Sequence, residues 1–267
     1  MSVEGTRALA LTVAVAALAA WAPAAAPGRA PARASAAATR AADAASGPVV
    51  QAMVVGREGT ILSGPRAVVA SATTLRVRNH TCRIAAGTPL ATLAALRRAG
   101  GPGFSMRDYG HCGPSAANSG QLFVNAVGGE RNHGQSGWEY KVDNVAGGTG
   151  AGDVSGPRGD GRRIGSGAHV LWFWCEATAN GCERTLAVSA PAQATRNGGL
   201  TVTVWGYDND GHAVPVAGAV VTLGSDFATT GAHGHATLVA PGARGRYQLT
   251  AVRRGTVPSF PLSILVR

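Results

Sequence analysis

Ala168-His169-Val170-Leu171-Trp172-Phe173-Trp174-Cys175 is the most aromatic run in this chain of 267 residues, and it reads as a β-strand. Alternation puts Trp172 and Trp174 on one face and Phe173 on the other. Working outward from it, Trp138 to Val142, Gln121 to Val127 and Phe104 to Arg107 read as further strands. Val49 to Val55 and Val68 to Val77 are β-rich runs punctuated by Gly56, Gly59 and Gly64. One helix stands out, from about Pro89 to Ala99. Thr88 suits the N-cap, Pro89 the first helical position, and Leu90, Leu93 and Leu96 recur on one side. Arg97 and Arg98 favour the negative end of its dipole, and Gly100-Gly101 ends it. Its leucine stripe is expected to lie on the sheet. Gly147 to Gly167 holds few large apolar residues and is expected to be a mobile surface loop.

From Thr185 the texture changes to short strand-like runs at Leu186, Leu200, Ala219, Ala236, Tyr247 and Leu262. Turns such as Asn197-Gly198-Gly199 and Pro241-Gly242 separate them. Spacing of this kind predicts an all-β sandwich of about seven strands.

Before Val49 the chain reads as export and linker sequence. Ala8 to Ala22 is an apolar run behind Arg7, and Pro23-Ala24-Ala25-Ala26 supplies small residues for cleavage, so 1–26 is expected to be a signal peptide. Residues 27–47, rich in Ala, Pro and Arg, read as linker. The apolar run is 15 residues long, short of the roughly 20 needed to cross a bilayer, and no membrane span is expected in the mature protein. The expected location is outside the cell, free or held on the wall.

That compartment suits the cysteines. Cys82, Cys112, Cys175 and Cys182 all follow the leader and can stay oxidised there. Four cysteines allow three pairings; the sequential one, Cys82 with Cys112 and Cys175 with Cys182, is favoured because each pair closes a loop within the first unit. No Cys-x-x-Cys spacing supports zinc.

Basic residues number 24 against 14 acidic, and all but Lys141 are arginine. An anionic wall polymer could exploit that excess, but the arginines fall singly or in pairs along the sequence, as a biased codon composition would leave them. Nothing resembles a nucleic-acid-binding arm, and no nucleic-acid partner is expected. Catalysis is not expected either. His111 adjoins Cys112, so the two point apart in a strand, and no Gly-x-Ser-x-Gly elbow occurs. His233 and His235 lack a third metal ligand, and Asp208-Asn209-Asp210-Gly211 reads as a tight turn rather than a calcium loop. No metal and no cofactor are expected.

The best candidate site is aromatic. Trp138, Tyr140, Trp172 and Trp174 could form one sheet face able to stack on sugars or planar ligands. The competing reading packs the same rings on Leu90, Leu93 and Leu96, since one sheet face must cover the helix.

Gly137-Trp138-Glu139-Tyr140-Lys141-Val142, then Gly150-Ala151-Gly152, then Gly165 to His169 leading into Val170-Leu171-Trp172-Phe173-Trp174, resembles the C-terminal β-domain of transcobalamin and intrinsic factor. Cys82-Arg83-Ile84 and Gly87-Thr88-Pro89-Leu90 look like that family's entry into its helix, and the similarity covers about Thr73 to Cys182. It implies a β-grasp-like α+β domain with one helix, in a family some of whose members bind soluble ligands. Cobalamin is not the expected ligand: Asp143-Asn144 and Ser166-Gly167 depart from the family pattern, Gly156 to Arg163 looks inserted, and an all-helical partner domain is missing from this sequence. The segment from about Leu186 to Arg267 resembles bacterial immunoglobulin-like or carboxypeptidase-regulatory-like modules through Val214 to Val221, Thr229 to Leu238 and Gly245-Arg246-Tyr247. The expected architecture is mainly β, with a β-grasp-like domain over 48–184 and an immunoglobulin-like sandwich over 185–267. The expected function is non-catalytic recognition of a small molecule or cell-wall glycan; the alternative is a structural or adhesive surface protein. Neither reading fixes an oligomeric state.

Overall fold

The computed structural model describes residues 46–179 and 181–267; the expected signal peptide, and the expected linker as far as residue 45, lie outside the described residues. The chain is mainly β. An α-helix, α1 (Pro89–Arg98), packs inside it, capped by Thr88, whose Oγ1 accepts from the Ala91 amide at 3.2 Å. The helix starts where the sequence places it and ends one residue earlier than expected, with Ala99 as its C-cap.

The first half holds β1 (Val49–Val55), β2 (Ile61–Val69), β3 (Thr73–Val77), β4 (His80–Ile84), β5 (Phe104–Asp108), β6 (Leu122–Val127), β7 (Glu130–Arg131), β8 (Gly137–Val142), β9 (Val145–Ala146) and β10 (His169–Cys175). The main sheet runs β2-β1-β10-β8-β9, with β1 parallel to β10 and the other pairs antiparallel. A hairpin, β3-β4, and a smaller sheet, β5-β6-β7, complete this half. The run expected as one strand from Val68 to Val77 is two. It breaks at Ala70, whose amide binds Pro48 and whose carbonyl accepts from Gly87, so the backbone there serves two other segments.

Strand β10 lies between β1 and β8 and is covered on both sides, hence its nearly unbroken apolar sequence. Val170, Trp172 and Trp174 join the core that holds Leu90, Leu93 and Leu96 of α1. Leu171, Phe173 and Cys175 face away, with Met53 and Val55 of β1, and meet Val257 and Phe260 from the second half. Alternation thus gives each face of one strand to a different neighbour.

The second half contains β11 (Thr185–Ser189), β12 (Gln193–Ala194), β13 (Gly199–Tyr207), β14 (Ala213–Pro215), β15 (Val220–Leu223), β16 (Asp226–Thr229), β17 (His235–Val239), β18 (Gly245–Val252) and β19 (Leu262–Val266). One sheet is β11-β13-β14 with β17 also on β13; the other is β12-β19-β18-β15-β16. Val202, Val204, Leu238, Leu249 and Ile264 fill the space between them. Nine strands are present where about seven are expected, because β12, β14 and β16 are too short to show a period.

The glycine-rich stretch is not a free loop. The Leu90 amide donates to the Ala151 carbonyl, Ile164 to Gly87, and the Tyr140 hydroxyl to the Thr149 carbonyl, so 147–167 is pinned to the helix start and the sheet. Ala151 and Ile164 are buried. Glycine permits this approach: a Cβ on Gly147 would lie 1.9 Å from a Tyr140 ring atom.

Candidate functional site

Trp138 and Tyr140 on β8 stand directly opposite Trp174 and Trp172 on β10. The pairs are in contact, with centroids 6.0 Å apart for Trp138–Trp174 and 5.5 Å for Tyr140–Trp172. None of the four forms an open platform, since their exposures run from 1% to 5%. This corrects the stacking-surface expectation: the face that carries the rings is the one α1 covers. Each polar tip is satisfied internally. Trp172 Nε1 donates to the Pro89 carbonyl at 3.3 Å, Trp138 Nε1 to Glu130 at 2.9 Å and Tyr140 to Thr149 at 2.8 Å. Trp174 differs, because its Nε1 donates at 3.1 Å to the Glu176 carboxylate.

That carboxylate opens onto a cleft of about 560 Å³ lined by Arg57, Glu58, Trp174, Glu176, Glu183, Arg254 and Gly255. Four segments meet there: the turn after β1, the end of β10, the residues Glu176 and Glu183 that flank the Cys175–Cys182 bridge, and the Arg253–Thr256 turn of the second half. The Arg57 guanidinium lies 4.2 Å above the centre of the Trp174 ring, within cation–π range. Glu176 also accepts from Ser136 Oγ at 2.9 Å, and its amide donates to Glu183 Oε2 at 3.0 Å. The Trp174 and Ser136 hydrogen bonds hold the Glu176 carboxyl below its usual range. Among the described residues, neither the Arg57 nor the Arg254 guanidinium has a carboxylate within 4 Å, although the Arg57 amide donates to the Glu130 carboxylate at 3.0 Å. The cleft therefore presents cations and anions separately to solvent.

Both cysteine pairs are bridged in the sequential pattern, Cys82–Cys112 and Cys175–Cys182, with Cα separations of 5.2 and 4.9 Å. Glu176 and Glu183 each follow a cysteine of the second bridge, which brings the two carboxylates together. Beside Trp174, which the sequence singles out, this adjacency is the signal of the cleft in the sequence; Arg57 and Arg254 carry none.

On the opposite face of β8, Lys141 is 1% exposed. Its Nζ donates to the carbonyls of Asp208 at 2.7 Å and Tyr207 at 3.1 Å, and to Thr185 Oγ1 at 3.3 Å, tying the sheet to the second half. Burial pushes its pKa down to about 8.

The remaining sequence candidates are engaged elsewhere. His235 Nδ1 lies 2.9 Å from Thr203 Oγ1. Asp208, Asp210 and His212 do cluster, but Asp208 already accepts from the amides of Asp210 and His212 and lies 3.8 Å from Arg184. Comparison of the chain with protein-family models, curated proteins and solved structures gave no match.

Proposed function

We propose that this chain is an exported, non-catalytic binding protein whose ligand, a small polar molecule or a wall glycan, sits in the cleft beside Trp174. The observation that carries this reading is the convergence of Arg57, Arg254, Glu176 and Glu183 on one cleft beside the Trp174 indole, with neither guanidinium paired to a carboxylate among the described residues. A ligand with both hydrogen-bond donors and anionic oxygens would match it. The bridged cysteines support an oxidising compartment, and no helix of the described residues is long and apolar enough to cross a membrane. The likeness of 73–182 to the transcobalamin-type β-domain supports recognition by analogy of fold alone.

A second reading, a structural or adhesive surface protein, is favoured by the burial of all four predicted aromatic site residues. A thermal-shift screen of the oxidised protein against corrinoids, haem and neutral peptidoglycan-derived sugars separates the two. A cleft ligand at a hundredfold excess over its Kd should add about 2.7 kcal/mol, and Glu183→Ala with Arg254→Ala should abolish the shift. No shift across the panel, or shifts that survive that double variant, would leave the structural reading in possession.

A further inference from the structure

The positive charge is scattered in sequence but concentrated in space. Residues 73–129 hold six arginines, Arg76, Arg78, Arg83, Arg97, Arg98 and Arg107, and a single carboxylate, Asp108. Asp108 does little to neutralise them: its side chain is 7% exposed, pairs with His80 at 3.0 Å and accepts from the amides of Gly110 and Cys112. Among the described residues, none of the six arginines has a carboxylate within 4 Å.

The fold turns three of these side chains, Arg76, Arg83 and Arg107, outward. Leu75, Val77, Cys82 and Ile84 of the β3-β4 hairpin and Phe104 and Met106 of β5 belong to the α1 core, so the alternate residues Arg76, Arg83 and Arg107 face solvent. Register pairs Arg76 with Thr81 and Thr74 with Arg83, which puts both arginines on one face of the hairpin. The Cys82–Cys112 bridge and the His80–Asp108 pair fasten that hairpin to the end of β5. From the helix end, Arg98 donates to Thr73 at 3.2 Å and Arg97 lies 5.7 Å over the Phe104 ring, reaching the same two strands.

Two aromatic side chains share this basic surface. Tyr109 and Phe123 are 62% and 45% exposed, with ring centres 6.2 Å apart, and Phe123 stands opposite Arg107 in the β5–β6 register. Adjacent uncompensated guanidinium groups repel unless an anion lies over them, and the planar arginine fork fits carboxylates. Exposed aromatic faces beside them suit the apolar sides of sugar rings. We infer that this face docks an acidic polysaccharide, its sugar rings on Tyr109 and Phe123 and its carboxylates on Arg76, Arg83 and Arg107. The site shares no residue with the Trp174 cleft and does not depend on that reading.

The test is titration of the oxidised protein with polygalacturonate, with dextran, oligothymidylate and phosphatidylglycerol vesicles as comparisons, at about 50 mM and about 500 mM salt. Polygalacturonate should bind at low salt, weaken at least tenfold at high salt, and exceed all three comparisons. Arg76→Gln with Arg83→Gln and Arg107→Gln should weaken it about tenfold, and Tyr109→Ser with Phe123→Ser several-fold. Arg254→Ala with Glu183→Ala should leave it unchanged. Should the triple variant fail to fold, the single exposed change Arg107→Glu must still weaken binding. Absence of binding, equal binding of dextran, tighter binding of oligothymidylate or vesicles, or indifference to the folded variants would each overturn the inference.

Discussion

Lys141 is the one lysine among 24 basic residues, and among the described residues it is the basic side chain that is buried. An ammonium on a flexible stem can reach three acceptors across the seam where a guanidinium would need planar partners. Desolvation lowers its pKa from 10.5 to about 8, so between those values the unfolded chain binds more protons than the folded one. Stability should therefore rise with pH through that window, with the full cost of desolvation borne below about pH 8. Denaturant unfolding at about pH 7.5 and about pH 9.5 should show a gain of about 2 kcal/mol that Lys141→Met lacks. The tryptophans report burial at the same scale. Trp172, 1% exposed and bonded to the start of α1, should cost about 3–5 kcal/mol on Trp172→Ala, read from chemical denaturation. A smaller loss would mean that the ring is not a core element.

Elements differ in how much of their fate is local. Helix α1 is almost wholly local, with cap, first-turn proline, leucine stripe and closing glycines all in one stretch, and the sequence places it to within a residue. Thr88→Ala removes the acceptor for the Ala91 amide and should destabilise by about 1 kcal/mol. The glycine-rich segment is the opposite case. Its composition suggests freedom, yet small residues are also what allow backbone to lie against the Tyr140 ring and the helix start. Gly147→Ala tests this, because a docked segment should lose about 1–3 kcal/mol on overpacking and a free loop nothing measurable. Strands follow the same rule: β10 announces itself by its aromatic apolar run and β13 by length and alternation, whereas β12 and β14, with two and three residues, exist because a neighbouring strand offers hydrogen bonds.

At the scale of the whole molecule, the two halves share an interior. Phe173 and Met53 meet Val257 across the seam, the Ala146 amide donates to the Asn209 carbonyl, and Lys141 bonds across the same boundary. Calorimetry should accordingly give one cooperative transition; Val257→Asp, which buries a carboxylate in that apolar contact, should lower its midpoint and split it in two. Two transitions in the unaltered protein would show the halves to be independent. Alternation, capping and the cysteine order are properties of neighbouring residues, and from them the sequence alone determined a mainly β chain, the place of α1 and the two faces of Trp172 and Phe173. Which face the helix would cover, and hence that the four aromatic rings are core and not platform, was decided only in the tertiary structure. So were the meeting of Arg57 with Arg254 and the outward placing of Arg76, Arg83 and Arg107 on their strands. The physical reason is that burial and charge density depend on what lies nearby in space, and residues two hundred positions apart exert no influence on each other until the sheets have closed.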